Sequence, residues 1–321
     1  MSGLFAIYRK ELADHFSSYR FVILFALIAM VSFITSYMAA VSIRETLEGI
    51  AKPKFVFLLL FSTSGAVFSM VRFVTFFGPL LGLVLGFDTL NRERAHGTLS
   101  KLVSQPIYRD AVINGKFLAG VTVITVILVS VVLVISGFGL ALLGVVPGIE
   151  ELWRLGIYLL VSICYISFWL ALAMLFSILF KSMATSALAS VALWIFLSFF
   201  ISLGASVVAD AFAPLDTMQR IDRSMLIKNV DLKETVSLFS PMVLYSKATD
   251  TIIDPTRNTT RTRDLLLMGA AEEFSAARFK GPLSLGQSIL VVYPHLLVLI
   301  AITLVCFGVS YAVFMVQEIR T

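Results

Sequence analysis

Ionised side chains inside long apolar runs are the first candidates for chemistry, because a charge in hydrocarbon is costly and is kept only for function or where it reaches water. Few are present: Arg72 and Asp88 flank one apolar run, and His295, beside Pro294, lies early in another. Arg72 and Asp88 sit near opposite ends of their run, where side chains can extend to the interface. His295 is placed either to line a pathway or, more simply, to sit at the interface. The sequence contains no H-E-x-x-H, no pair of span carboxylates and no nucleophile with an adjacent base, so no catalytic residue and no metal ligand is assigned. Cys164 and Cys306 stand singly in apolar runs and read as packing residues. Met218, Met225 and Met242 are too scattered to suggest a copper site. Gly115-Lys116 has the look of the end of a phosphate-binding loop. Asp110, however, stands where the first glycine belongs, and Phe117 replaces the hydroxyl residue that would hold magnesium. Any ATPase must therefore be another polypeptide.

The segment with most information lies between two apolar runs, Asn91-Arg92-Glu93-Arg94-Ala95-His96-Gly97-Thr98-Leu99-Ser100-Lys101-Leu102-Val103-Ser104-Gln105-Pro106. Leu99, Leu102 and Val103 recur at i, i+3 and i+4, which predicts one apolar stripe on a short helix. Gly97-Thr98 supplies a turn and a helix start, and Pro106 a stop. Such a helix suits a groove on a partner or a bed of lipid headgroups, and its residues alone do not choose between them. A second amphipathic pattern opens the chain, where Leu4, Phe5, Tyr8, Leu12, Phe16 and Tyr19 recur near helical spacing. That pattern suits a helix lying in a membrane interface.

These segments must be held by the rest of the chain, and its composition says by what. Of 321 residues, 59% are hydrophobic and 14% charged, with a mean hydropathy of +0.95. Soluble domains are about 45–50% apolar and about 25% charged, so the bilayer is the expected solvent. A hydrocarbon core of about 30 Å takes a helix of about 20 apolar residues. Six such spans are expected, over 21–41, 69–88, 117–142, 158–180, 184–208 and 289–316. The run 55–68 is too short to cross and is expected to lie on, or dip into, the outer side. The first span is followed by no convincing cleavage site and is expected to remain as an anchor. The net charge of +5 follows from basic short loops and implies no nucleic acid. Arg9, Lys10, Arg20, Arg92, Arg94, Lys101, Arg109, Lys116, Lys181 and Arg320 all fall on one side, which makes both termini cytoplasmic. The long segment 210–287, with ten basic and ten acidic residues, is then external. Leu238, Phe239, Met242, Leu244, Tyr245, Ile252 and Ile253 give it the character of a small folded cap. Its Asn258-Thr259-Thr260 triplet fits a glycosylation sequon, a pattern common by chance.

From Gly86-Phe87-Asp88-Thr89-Leu90-Asn91-Arg92-Glu93-Arg94-Ala95-His96-Gly97-Thr98-Leu99, through Leu102 to Ile107 and on to Gly115-Lys116, the chain closely resembles the type-2 ABC exporter permeases, a family that includes permeases of multidrug, ion and nitrous-oxide-reductase maturation transporters. Arg9-Lys10-Glu11-Leu12, Leu179-Phe180-Lys181-Ser182 and Ser240-Pro241 agree with the family's amphipathic first helix, its turn between spans four and five, and its element before the last span. Ala95 departs from the pattern, where the family often has a second acidic residue, and the segment before the sixth span is longer than in small members. The resemblance implies an all-α integral membrane fold: a cytoplasmic amphipathic helix over 1–20, spans one to five over 21–209 with a coupling loop at 89–116, an extracytoplasmic domain at 210–287, and the sixth span and cytoplasmic C-terminus over 288–321. It further implies a permease in a prokaryotic plasma membrane, paired with a second copy or paralogue, seated in lipid, and driven by an ABC ATP-binding subunit that carries ATP and magnesium. Coupling to that subunit is expected at Glu93, Gly97, Thr98, Leu99 and Leu102, with Glu11 contributing. Gly78, Gly82 and Gly86, four apart, are expected to allow close helix approach at a dimer seam. Export is the implied activity. The alternatives are force transmission to an extracytoplasmic partner at 210–287 without solute passage, and an unrelated membrane enzyme, which the missing catalytic groups disfavour.

Overall fold

A computed structural model describes residues 2–47, 55–62, 69–95, 97, 108–214, 223–255 and 283–317. Among the described residues the fold is helical throughout: α1 (Ser2–Phe16), α2 (Tyr19–Leu47), α3 (Val56–Ser62), α4 (Met70–Gly86) and α5 (Asn91–Ala95). These are followed by α6 (Arg109–Leu143), α7 (Ile149–Leu179), α8 (Met183–Phe212), α9 (Arg223–Ser237), α10 (Pro241–Ile253) and α11 (Leu285–Val316). Among the described residues, six helices are long and apolar enough to cross a membrane: α2, α4 with its continuation into α5, α6, α7, α8 and α11. The spans overrun their apolar stretches because lipid does not end a helix; a cap or a turn does. α7 begins at Ile149, where Glu151 Oε2 accepts from Gly148 N at 2.8 Å, so Glu150, Glu151 and Arg154 belong to the helix and not to a loop. A five-residue π turn, Gly139–Leu143, ends α6, and another, Phe196–Phe200, interrupts α8.

The middle of the bundle is α7, which packs on α4, α6, α10 and α11. Its Tyr158, Tyr165, Ile166, Trp169 and Leu170 are all 1% exposed or less. The contact with α4 is close because that helix presents glycine. A Cβ on Gly82 would lie 2.6 Å from Ile166 O, and one on Gly86 would lie 2.6 Å from the Ala173 Cβ. Gly78 faces Ile166 in the same way. The stripe expected at a dimer seam is therefore filled inside the chain by α7, and it offers no open face to a second copy. α2 and α8 instead turn most of their large apolar side chains outward, and α11 about half, which suits lipid.

Two elements lie deeper than the sequence indicates. α3 is not a surface segment, since Phe57, Leu58, Leu60 and Phe61 are 2% exposed or less. Nor does the 210–287 segment stand wholly apart from the spans. α9 returns along α8, with Asn229 Nδ2 donating to Asp210 Oδ1 at 3.0 Å and to Ala213 O at 2.8 Å. α10 then runs between α4, α7 and α11. Tyr245 shares a 2.7 Å hydrogen bond with Ser162 and stacks on Tyr165 at 4.3 Å. At 1.5 Å per residue, Ser162 lies about 20 Å along α7 from its first residue, so this hairpin reaches well into the bundle. Leu244, Ala248 and Ile252 supply the apolar stripe that allows it. Residues 215–222 and 256–282, the sequon among them, lie outside the described residues.

Candidate coupling site at the loop root

At the end of the bundle that carries both termini, α1 lies across the start of α6. Gly115 permits the contact: a Cβ there would meet Ile7 Cγ2 at 2.9 Å and Tyr8 N at 3.3 Å. The Tyr8 hydroxyl bonds Thr122 at 3.1 Å further along α6. Beside Gly115, the Lys116 ammonium is 2% exposed and donates to Glu11 at 2.7 Å and to Glu93 at 3.4 Å. Lys10 closes the cluster, 3.0 Å from Glu93, 3.2 Å from Glu11 and 3.6 Å from Asp14. One carboxylate from α1, one from α5 and one buried cation from α6 thus form a single ionic knot. Burial opposes the charged form of Glu11, but Lys116, and then Lys10, hold its pKa below the ordinary carboxylate value. Burial likewise opposes the charge on Lys10, yet Glu11 and Glu93 raise its pKa. His15, one turn beyond Glu11, has its pKa lowered chiefly by burial.

The root of the loop is also fixed to the bundle. Ser177 Oγ on α7 accepts from Leu90 N at 3.0 Å and from Asn91 N at 3.2 Å. Arg94 donates to Ile178 O at 3.1 Å and to the Gln317 side chain at 2.5 Å, while Arg109 donates to Gln317 O at 3.2 Å. Asp88, placed by the sequence at an interface, is instead 7% exposed and paired with Arg20 at the start of α2. Four segments far apart in sequence, α1, α6, α7 and the residue after α11, are therefore tied to the loop's first turn at α5.

Of the residues expected to couple, Glu11 and Glu93 are brought together through Lys116. Gly97 lies in a turn, its N donating to Arg94 O at 3.0 Å. Its φ is +64°, and a Cβ there would have no atom within 4 Å. Thr98, Leu99 and Leu102 lie outside the described residues. Lys116 is the member that sequence reading misses as a partner of Glu11 and Glu93. The one available signal is its neighbour Gly115, which marks a close helix contact.

A sequence model of the family described as "ABC-2 family transporter protein" matches residues 5–319. The chain belongs to this family. The ABC-2 protein is also similar to a "Probable ABC transporter permease protein NosY" of Pseudomonas aeruginosa, 28% identical over 161 residues. That match spans 49% of this chain and about half, 52%, of the relative. The family match and the six helices able to cross a membrane make this chain a multi-pass membrane protein of the ABC-2 transporter family.

The opposite end of the ABC-2 fold carries a second knot that the sequence does not reveal. Arg154 is 0% exposed. It donates to Ile252 O at 3.0 Å, Leu283 O at 2.7 Å, Ser288 Oγ at 3.1 Å and Glu150 at 2.9 Å, and lies 5.2 Å over the Phe55 ring. Glu151 beside it accepts from Phe57 N at 3.1 Å. The ends of α3, α7, α10 and α11 remote from the ionic knot are joined there.

Proposed function

We propose that this chain is the permease subunit of an ATP-driven exporter, that it works as a pair, and that a separate ABC ATPase drives it through α1 and the loop rooted at α5. The observation that carries this reading is the Glu11–Lys116–Glu93 knot. A force on the loop turns the buried Lys116 and, with it, α1 and the start of α6. A charge buried among its partners resists separation by several kcal/mol, so the three elements transmit displacement and do not shear apart. The termini and the loop face the cytoplasm of a prokaryotic plasma membrane, in keeping with the basic short loops. ATP and magnesium sit on the ATPase, and the chain itself performs no chemistry. Gly97, Thr98, Leu99 and Leu102 are the loop residues assigned to meet that subunit.

Force transmission to an external partner is a second reading, favoured by the Arg154 knot, which ties the α10 segment to α7 and α11. Under it, ATP-driven tilting of α7 moves the outer segment directly. Co-purification tests the common part: the chain is expected to capture a soluble P-loop ATPase. Glu93→Lys with Gly97→Val is expected to release that ATPase or uncouple its turnover. Full association and full turnover in that variant would overturn the coupling assignment. Inside-out vesicles then separate the readings, because an exporter loads them and a pure transmitter does not.

A further inference from the structure

Against the ionic knot lies a cleft of about 300 Å³, bounded by α1, the start of α2, the end of α4 and the start of α6. This is near the lower limit for small-molecule pockets. Its walls change character with depth. Toward the termini it is lined by charge; one turn further into α2 and α4 it is lined by Phe21, Leu24, Val84 and Leu85. α2 is packed mainly on α6 and only slightly on α4, which leaves the apolar part of the cleft open between two spans.

The charges are balanced. Four basic side chains and four carboxylates line the cleft, so it favours a ligand carrying both signs over an anion. Those well exposed include Lys10 at 49%, which lies 3.6 Å from Asp14. Arg20 is 56% exposed although paired with Asp88, and its guanidinium has five N–H donors to share. Asp14 is 50% exposed. A group with an anionic oxygen cluster, a neighbouring ammonium and an apolar tail matches this order of donors, acceptors and apolar wall.

The geometry points to a phospholipid with a primary-amine headgroup, phosphatidylethanolamine, bound in this cleft from the leaflet on the side of the termini. Its phosphate accepts from Arg20, its ammonium donates to Asp14, and its acyl chains run along Phe21, Leu24, Val84 and Leu85. A bound lipid would fill the gap between α2 and α4 and brace α1 against the knot from the membrane side. Phosphatidylcholine satisfies the charge balance but has no N–H to donate, and phosphatidylglycerol has no cation for Asp14. The inference rests on the chain being a membrane protein and not on the ATPase reading, so either can fail alone.

Native mass spectrometry of the full-length chain, released from detergent after exposure to each lipid, tests it. Phosphatidylethanolamine is expected to be retained about fivefold more than phosphatidylcholine or phosphatidylglycerol, the difference made by one charge-assisted hydrogen bond near a surface. Retention by the unaltered protein is expected to fall stepwise as the amine is methylated once, twice and three times. Asp14→Asn is expected to bring phosphatidylethanolamine down to the phosphatidylcholine level. Equal retention of the amine and its trimethyl form, preference for phosphatidylglycerol, or an Asp14→Asn variant that keeps the amine preference would each overturn the proposal. The methylation series needs no variant, so a failure of Asp14→Asn to fold does not remove the test.

Discussion

Removing the Glu11 carboxylate as Glu11→Gln leaves the Lys116 ammonium, 2% exposed, with Glu93 at 3.4 Å as its remaining close anion. Attraction falls as the inverse of distance, so Glu93 supplies about four-fifths of what Glu11 supplies from 2.7 Å. Loss of Glu11 therefore removes about half the compensation of that charge. The expected cost is about 2 kcal/mol, below the roughly 3–5 kcal/mol that follows when a buried ion loses its partner altogether. Glu11→Gln with Glu93→Gln should reach that larger figure. Replacing all three by Glu11→Leu, Glu93→Leu and Lys116→Met removes the need for compensation and should recover the parent's stability to within about 1 kcal/mol. Melting followed with a thiol-reactive dye reads this, because the free Cys164 and Cys306 are both only partly exposed. A loss of about 2 kcal/mol should lower the midpoint by roughly 3 °C in a chain of this length. ATPase turnover in the reconstituted complex is read alongside. The single and double carboxylate variants should lose stability and coupling together, while the apolar triple variant should regain only stability. If Glu11→Gln and the double variant melt with the parent, the knot holds nothing. If the triple variant keeps coupled turnover, the charges hold the fold but do not transmit force, and the proposed role of the site falls.

Lowering pH from about 7.5 to about 5.5 should destabilise the protein through His15. Its folded pKa lies below its ordinary 6.5, so the unfolded chain binds more protons there and stability is lost as pH falls; His15→Gln should flatten the melting profile. Glu11 adds nothing in that window: its lowered folded pKa contributes stability that is present above about 4.5 and is lost only as pH falls through the folded value. Arg154→Gln should cost about 3–5 kcal/mol or prevent accumulation, since four acceptors and a buried fork are lost at once; Arg154→Lys, which keeps the charge, should melt between the two. Gly82→Val should cost about 3 kcal/mol because its Cβ would meet the backbone of α7. Gly156→Val, which meets nothing within 4 Å, should melt close to the parent.

The spans are legible in the sequence because each carries its own signal, an apolar run long enough to cross. The loop root is legible in part, through the charges around Glu93 and the glycine at Gly97, whose φ of +64° accounts for its residue type. The knots are not, and for a common reason. Arg154 has one local partner, Glu150 four residues before it, but its other acceptors lie 98, 129 and 134 residues away, and Lys116 finds Glu11 at a separation of 105, so the local sequence marks neither as a buried ion. The glycines at 78, 82 and 86 read as a close-packing stripe, but spacing alone cannot say which helix fills it; α7 does. Gly115-Lys116 shows what a local reading loses. As a phosphate loop the pair lacks its first glycine and its hydroxyl neighbour, and the match ends there. In three dimensions the glycine admits Ile7 of α1 at 2.9 Å from its would-be Cβ, and the lysine reaches past that contact to Glu11 at 2.7 Å. A side chain larger than glycine would push α1 away and open the ion pair, and a shorter cation would not span the gap that close packing leaves. Two adjacent residues thus place one helix on another and fix it there by charge, which is sufficient reason for a Gly-Lys pair at this position without any nucleotide to bind.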